Sequence, residues 1–179
     1  KTAGFCFGVN RAVEMALETA KQLDQVYMLG QLIHNEAVTK KLLSLGVRYT
    51  ETLDGLPEGA SVIVRAHGVP RATYEAIAER GLRMVDVTCP FVRKIHRIVE
   101  EESQKGRLVM IMGDPSHPEV VGISGWCQNA VVLKDVAELK KYLNNVCEER
   151  SEPVSLVAQT TSNRTKWEIF VNTIKKVYT

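Results

Sequence analysis

The sequence predicts an α/β protein, a pseudo-threefold repeat of small α/β units with largely parallel sheets, of which two of three units are present. Three observations predict it. Brief apolar runs closed by turn residues alternate with longer segments of helical period. Cys6 and Cys89 each open a helical segment. In each case a histidine, His34 or His117, follows 28 residues after the cysteine.

Taken in order, Val9, Val13, Ala16, Leu17 and Ala20 share one face of a helix over 9–23. A buried strand over 26–30 follows, then the turn that carries His34-Asn35-Glu36. A second strand spans 61–66 and ends at His67-Gly68; a helix over 71–80 and a strand over 83–87 lead to Cys89. The second unit repeats this order with a helix over 92–102, a strand over 107–113 and the turn carrying His117-Pro118-Glu119. A helix over 136–147, a strand over 154–158 and a helix over 165–177 complete it. In the looser match of the third elements, Thr160 takes the place of His67. The units are therefore expected at 1–88 and 89–179. The chain opens on Lys1 rather than Met and stops where another strand and cysteine are due, so sequence is expected on both sides and a third unit beyond Thr179.

With 179 residues, 45% of them apolar, the chain can bury one or two cores without disulfides or a structural metal. The 23 basic and 21 acidic residues are interspersed, for a net charge of +2, which excludes a nucleic-acid-binding tract in this region. No apolar stretch reaches the roughly 18 residues of a membrane span, and no charged-then-apolar leader is seen, so the cytoplasm is the expected compartment; a monomer is also expected. Cys6, Cys89, Cys127 and Cys147 form no C-x-x-C pair.

Cysteines placed at a strand end and a helix N-terminus favour the thiolate that a metal requires. Three of them about a pseudosymmetry axis suit an iron-sulfur cluster with one iron left for substrate. Cys6 and Cys89 are the candidate ligands, while Cys127, expected in a strand after Trp126, and Cys147, at a helix end, read as structural. His34, His67 and His117 sit in turns that close strands, where side chains meet ligands, and imidazoles suit diphosphate oxygens. His96 lies among Lys94, Arg97 and Glu100 and reads as solvent-facing. Glu119 follows a stiff Gly-Asp-Pro-Ser-His-Pro turn that can aim a carboxyl group inward as a proton donor; its repeat partner Glu36 reads equally as a helix N-terminal charge. A hydroxyl of Thr160 or Thr161 can pass a proton between Glu119 and substrate, or serve only as a helix cap.

Through Ala3-Gly4-Phe5-Cys6-Phe7-Gly8-Val9, Ile33-His34-Asn35, Arg65-Ala66-His67-Gly68, Asp86-Val87-Thr88-Cys89-Pro90, His117-Pro118-Glu119-Val120 and Gln159-Thr160-Thr161, the sequence resembles the 4-hydroxy-3-methylbut-2-enyl diphosphate reductase (LytB) family. The resemblance runs along essentially the whole chain. It implies a [4Fe-4S] oxidoreductase of the non-mevalonate isoprenoid route. Two electrons and two protons remove the allylic hydroxyl of a small diphosphate as water and leave isopentenyl and dimethylallyl diphosphates. Cys6 and Cys89 then resemble two of three cluster ligands, with the third cysteine outside this chain. By the same resemblance His34, His67 and His117 bind the diphosphate, Glu119 donates the proton, and Thr160 orients the hydroxyl. The implied electron donor is a ferredoxin or flavodoxin. A non-catalytic metal or iron-sulfur binding module derived from such a reductase is the alternative.

Overall fold

Val26, Tyr27, Met28 and Leu29 are all buried, because their strand lies inside a sheet covered on both faces. In the computed structural model, which describes residues 4–146 and 153–178, the chain divides into two compact units, Lys1–Arg93 and Lys94–Thr179.

The first unit contains α1 (Phe7–Gln22), β1 (Val26–Leu29), α2 (Glu36–Ser44), β2 (Arg48–Thr50), β3 (Ser61–Val64), α3 (Arg71–Glu79) and β4 (Arg83–Asp86). Its sheet has the order β2-β1-β3-β4, with every pairing parallel. Period-two alternation divides β1 between two cores. Val26 and Met28 pack with Ala12, Ala16 and Ile63 on one face; Tyr27 and Leu29 pack with Val62, Val64 and Ile77 on the other. The small residues Ala12 and Ala16 let α1 lie close to the sheet.

The second unit begins within α4 (Pro90–Gln104) and continues through β5 (Leu108–Met112), α5 (Pro118–Ser124), β6 (Ala130–Leu133), α6 (Val136–Val146), β7 (Val154–Ala158) and α7 (Arg164–Lys175). Its sheet has the order β6-β5-β7, again parallel. Leu108, Met110 and Met112 face α6 and α7 through Leu139, Leu143 and Phe170, while Val109 and Ile111 face Val99, Val120 and Ile123 of α4 and α5. In both sheets the first strand of the unit lies between the second and third, so the repeat legible in the sequence is also a repeat of strand order.

The α/β class and the parallel pairing match expectation. Four short elements, α2, β2, α5 and β6, do not appear in the sequence reading. In α2, β2 and α5 polar residues or glycine interrupt the short apolar pattern, whereas the apolar run Ala130–Leu133 of β6 carries a strand signal that the sequence reading places instead around Cys127. Cys127 lies three residues before β6 rather than in a strand; its half-buried thiol donates to the carbonyl of Ile123 at 3.8 Å. Cys147 lies outside the described residues.

His96 is a correction. Its side chain is 2% exposed and stacks on Trp126 with ring centroids 5.2 Å apart. Along α4, Val92, His96, Val99 and Ser103 form the buried stripe, and the charged residues Lys94 and Arg97 lie off it. Helical phase decided the burial, not the polarity of the immediate neighbours.

Candidate active site

Both predicted metal-ligand cysteines stand directly before the first residue of a helix. The Cys6 carbonyl accepts the first bond of α1 from Asn10 at 3.0 Å, and the Cys89 carbonyl accepts that of α4 from Arg93 at 2.9 Å. Both thiols are free, that of Cys6 exposed and that of Cys89 half-buried. Although 83 residues separate them in sequence, the Cys89 side chain packs onto Gly8 in the first turn of the helix that Cys6 caps. A methyl group at Gly8 would overlap the Cys89 sulfur and lie 3.3 Å from its Cβ. Glycine at position 8 is thus a cradle for that sulfur.

Two of the three predicted diphosphate-binding histidines meet in the first unit. After β1, Leu32 and Ile33 turn into the core and leave His34 exposed, and Asn35 caps α2 by accepting from the Val38 N–H at 3.1 Å. After β3, a turn closed by the Gly68 N–H on the Arg65 carbonyl (3.0 Å) carries His67 at its third position. Gly68 has φ +73°, a left-handed conformation natural to glycine. One bond, from the Ala66 N–H to the Leu32 carbonyl at 3.0 Å, ties the two turns together. It places the His34 and His67 rings with centroids 4.5 Å apart and planes at 48°.

His117, Glu119 and Thr160 lie in the second unit and share one hydrogen-bonded cluster. Asp114 holds the turn after β5: its Oδ1 accepts from the Ser116 N–H (3.0 Å) and hydroxyl (2.7 Å), and these bonds hold its carboxyl below the usual carboxylate range. His117 caps α5, its Nδ1 accepting from the Glu119 N–H at 3.1 Å. An Nδ1 that accepts is unprotonated, so the ring N–H belongs on Nε2. Glu119 is 3% exposed, and both of its oxygens accept from Thr160: Oε1 from the backbone N–H at 2.6 Å, Oε2 from the hydroxyl at 2.8 Å. Gly113 allows this approach, because a methyl group there would stand 2.6 Å from Val120 Cγ2 and 3.1 Å from Gln159 Cβ. Glu36, the repeat partner of Glu119, is instead an exposed first-turn residue of α2 facing Lys40 at 3.7 Å. A buried carboxyl group joined to a surface-facing hydroxyl is an arrangement suited to proton transfer.

The reading from sequence missed Gly8, Asp86 and Tyr74. A glycine inside the first turn of a helix, where its conformational freedom costs stability, was the available signal for Gly8. The Asp86-Val87-Thr88 spacing, which suits an aspartate bonding the backbone two residues on, was the signal for Asp86. Nothing in the local sequence marks Tyr74.

The "LytB protein" family matches residues 1–179. The 4-hydroxy-3-methylbut-2-enyl diphosphate reductase of Clostridioides difficile (strain 630) is 40% identical over 179 residues, covering 99% of this chain and 62% of that protein. Among solved structures, the E-1-hydroxy-2-methyl-but-2-enyl-4-diphosphate reductase of Plasmodium falciparum superposes with a TM-score of 0.90 at 28% identity, covering 98% of this chain and 55% of that one. An (E)-4-hydroxy-3-methyl-but-2-enyl diphosphate reductase described as the terminal enzyme of the non-mevalonate pathway superposes with a TM-score of 0.83 at 36% identity, covering 98% and 62%. The chain therefore spans roughly 55 to 62% of these relatives. With a match over its full extent to one family, the chain belongs to the LytB protein family.

Proposed function

We propose that the chain forms two of three α/β units of an oxidoreductase that removes the allylic hydroxyl of 4-hydroxy-3-methylbut-2-enyl diphosphate as water. The products are isopentenyl and dimethylallyl diphosphates. Cys6 and Cys89 are two ligands of a [4Fe-4S] cluster, with a third cysteine contributed from outside this chain. The observation that carries the reading is the Cys89 sulfur seated on Gly8, in the first turn of the helix that Cys6 caps. Two free, accessible thiols at helix N-termini suit the thiolates that such a cluster needs.

When bound, the cluster held by Cys6 and Cys89 would supply the two electrons, relayed one at a time from a ferredoxin or flavodoxin, and would activate the substrate hydroxyl as a Lewis acid. The residues of the chain bind, orient and protonate. His34, His67 and His117 donate to the diphosphate oxygens. Protonated Glu119 gives its proton to Thr160 Oγ1 as the threonine hydroxyl turns toward the departing oxygen. The 2.8 Å bond between these two groups then reverses direction, which is the minimal motion of a proton relay. The reaction is balanced by two electrons and two protons for each water released. It is assigned to a soluble, cytoplasmic, monomeric protein; none of the described helices is long and apolar enough to cross a membrane.

Anaerobic reconstitution with iron and sulfide tests the proposal, carried out both on this chain and on a version extended through the downstream sequence. A brown cluster and reduction of the allylic diphosphate in the extended protein are the expected result, with turnover abolished by Cys6→Ser. Zinc binding without turnover in both proteins would instead identify a non-catalytic metal-binding module. Absence of a cysteine in the next unit of the extended sequence would remove the three-ligand reading.

A further inference from the structure

Cys89 follows a short connection from β4 to α4 that is held on every side. Asp86, the last residue of β4, accepts through Oδ1 from the Thr88 N–H at 2.9 Å. Its Oδ2 accepts from the Tyr74 hydroxyl of α3 at 3.1 Å and from Arg93 Nη2 of α4 at 2.7 Å. The Tyr74 and Thr88 hydroxyls are a further 3.2 Å apart, and Thr88 is fully buried. Beyond this carboxylate, the Cys89 N–H donates to the Ala66 carbonyl at 2.9 Å, and Arg11 of α1 reaches the Thr88 carbonyl at 3.4 Å. On the remaining side, Gly8 receives the sulfur.

We propose that Asp86 and Tyr74 are positioning residues for the Cys89 sulfur, their hydrogen bonds holding the turn that sets the thiol on Gly8; this rests on Cys89 serving as a metal-binding thiolate. One carboxylate gathers donors from the turn and from helices on both sides of it, so the turn cannot shift without breaking charge-assisted bonds. Burial pushes the Tyr74 phenol up to about 12, still further above the neutral range in which a phenol is already a hydrogen-bond donor. Partners beyond the ligands commonly orient metal-binding side chains in this way.

The test uses Asp86→Asn and Tyr74→Phe, the second removing one hydroxyl and little else. In reduced, metal-free protein, alkylation of Cys89 and Cys6 by iodoacetamide is followed by mass spectrometry. Loss of a charge-assisted bond at the turn is expected to raise the Cys89 rate about tenfold in Asp86→Asn, and a few-fold in Tyr74→Phe, with the Cys6 rate unchanged. Cobalt(II) bound to the same variants is expected to show displaced thiolate charge-transfer bands, a signature that a general loss of stability does not produce. Wild-type Cys89 rates and unshifted bands in folded Tyr74→Phe would overturn the positioning role, whether or not Asp86→Asn folds. Full retention of cobalt and iron binding in Cys89→Ser would instead overturn the metal reading and, with it, the purpose assigned to the brace.

Discussion

Glu119 and Thr160, 41 residues apart in sequence, are joined by two hydrogen bonds in which the threonine donates both times and the buried carboxyl group accepts with both oxygens. Thr160→Val keeps the backbone bond and strands Oε2. Urea denaturation is expected to show a loss of about 1–3 kcal/mol, the usual penalty for an unpaired buried acceptor, with most of it recovered in Thr160→Ser. In the extended, cluster-loaded protein, Glu119→Gln is expected to lower turnover roughly 10²- to 10⁴-fold, the range of a lost general acid. The cluster spectrum should stay unchanged. Wild-type turnover in Glu119→Gln would remove it from the proton path.

His117 has two separable duties, capping α5 through Nδ1 and presenting Nε2–H to a ligand. Asparagine can perform the first and not the second. His117→Ala is expected to cost about 1 kcal/mol, typical of a lost helix cap, whereas His117→Asn should retain most of that stability while weakening diphosphate binding. Nitrogen-15 correlation spectra at neutral pH should show the ring proton on Nε2. A proton on Nδ1 would contradict the capping bond.

Gly8→Ala sets two effects against each other. Alanine favours a helix over glycine by up to about 1 kcal/mol, but its methyl group overlaps the Cys89 sulfur, and overpacking typically costs about 1–3 kcal/mol. The overlap is expected to prevail. The variant should be modestly destabilised in thermal melts and should lose roughly 10- to 100-fold in cobalt affinity as the thiol is displaced. Unaltered affinity would mean that the sulfur has room to move without consequence.

Glu102 of α4 accepts from Lys105 at 2.6 Å, from Arg107, and from the Ser155 hydroxyl of β7. The Lys105 bond first, then those from Ser155 and Arg107, hold its carboxyl well down, at about 2 against an ordinary 4.5. A folded-state value below the unfolded one means stability that is fully present above about pH 4.5 and lost as the pH falls toward 2. The difference in urea midpoint between wild type and Glu102→Gln should therefore be greatest above pH 4.5 and shrink on acidification through that window. A difference that stays constant with pH would show that the ionised carboxylate contributes nothing there.

The sequence by itself determined the α/β class, the long helices and buried strands, and the matched positions of Cys6 and Cys89 and of His34 and His117. These are repeating or local properties: period two or 3.6, a turn residue after an apolar run, a fixed step between two chemical groups. Tertiary structure decided what such patterns do not contain. It separated Glu119, buried against Thr160, from Glu36, exposed beside Lys40, although both follow a turn histidine by two residues. It turned His96 inward onto Trp126, since the phase of the whole α4 stripe outweighs the charge of its neighbours. It set the Cys89 sulfur on Gly8 and gathered Tyr74 and Arg93 onto Asp86. Apart from the i,i+4 pair of Glu36 and Lys40 within α2, each of these contacts joins separate elements, and chain folding in three dimensions fixes their distance where sequence spacing does not.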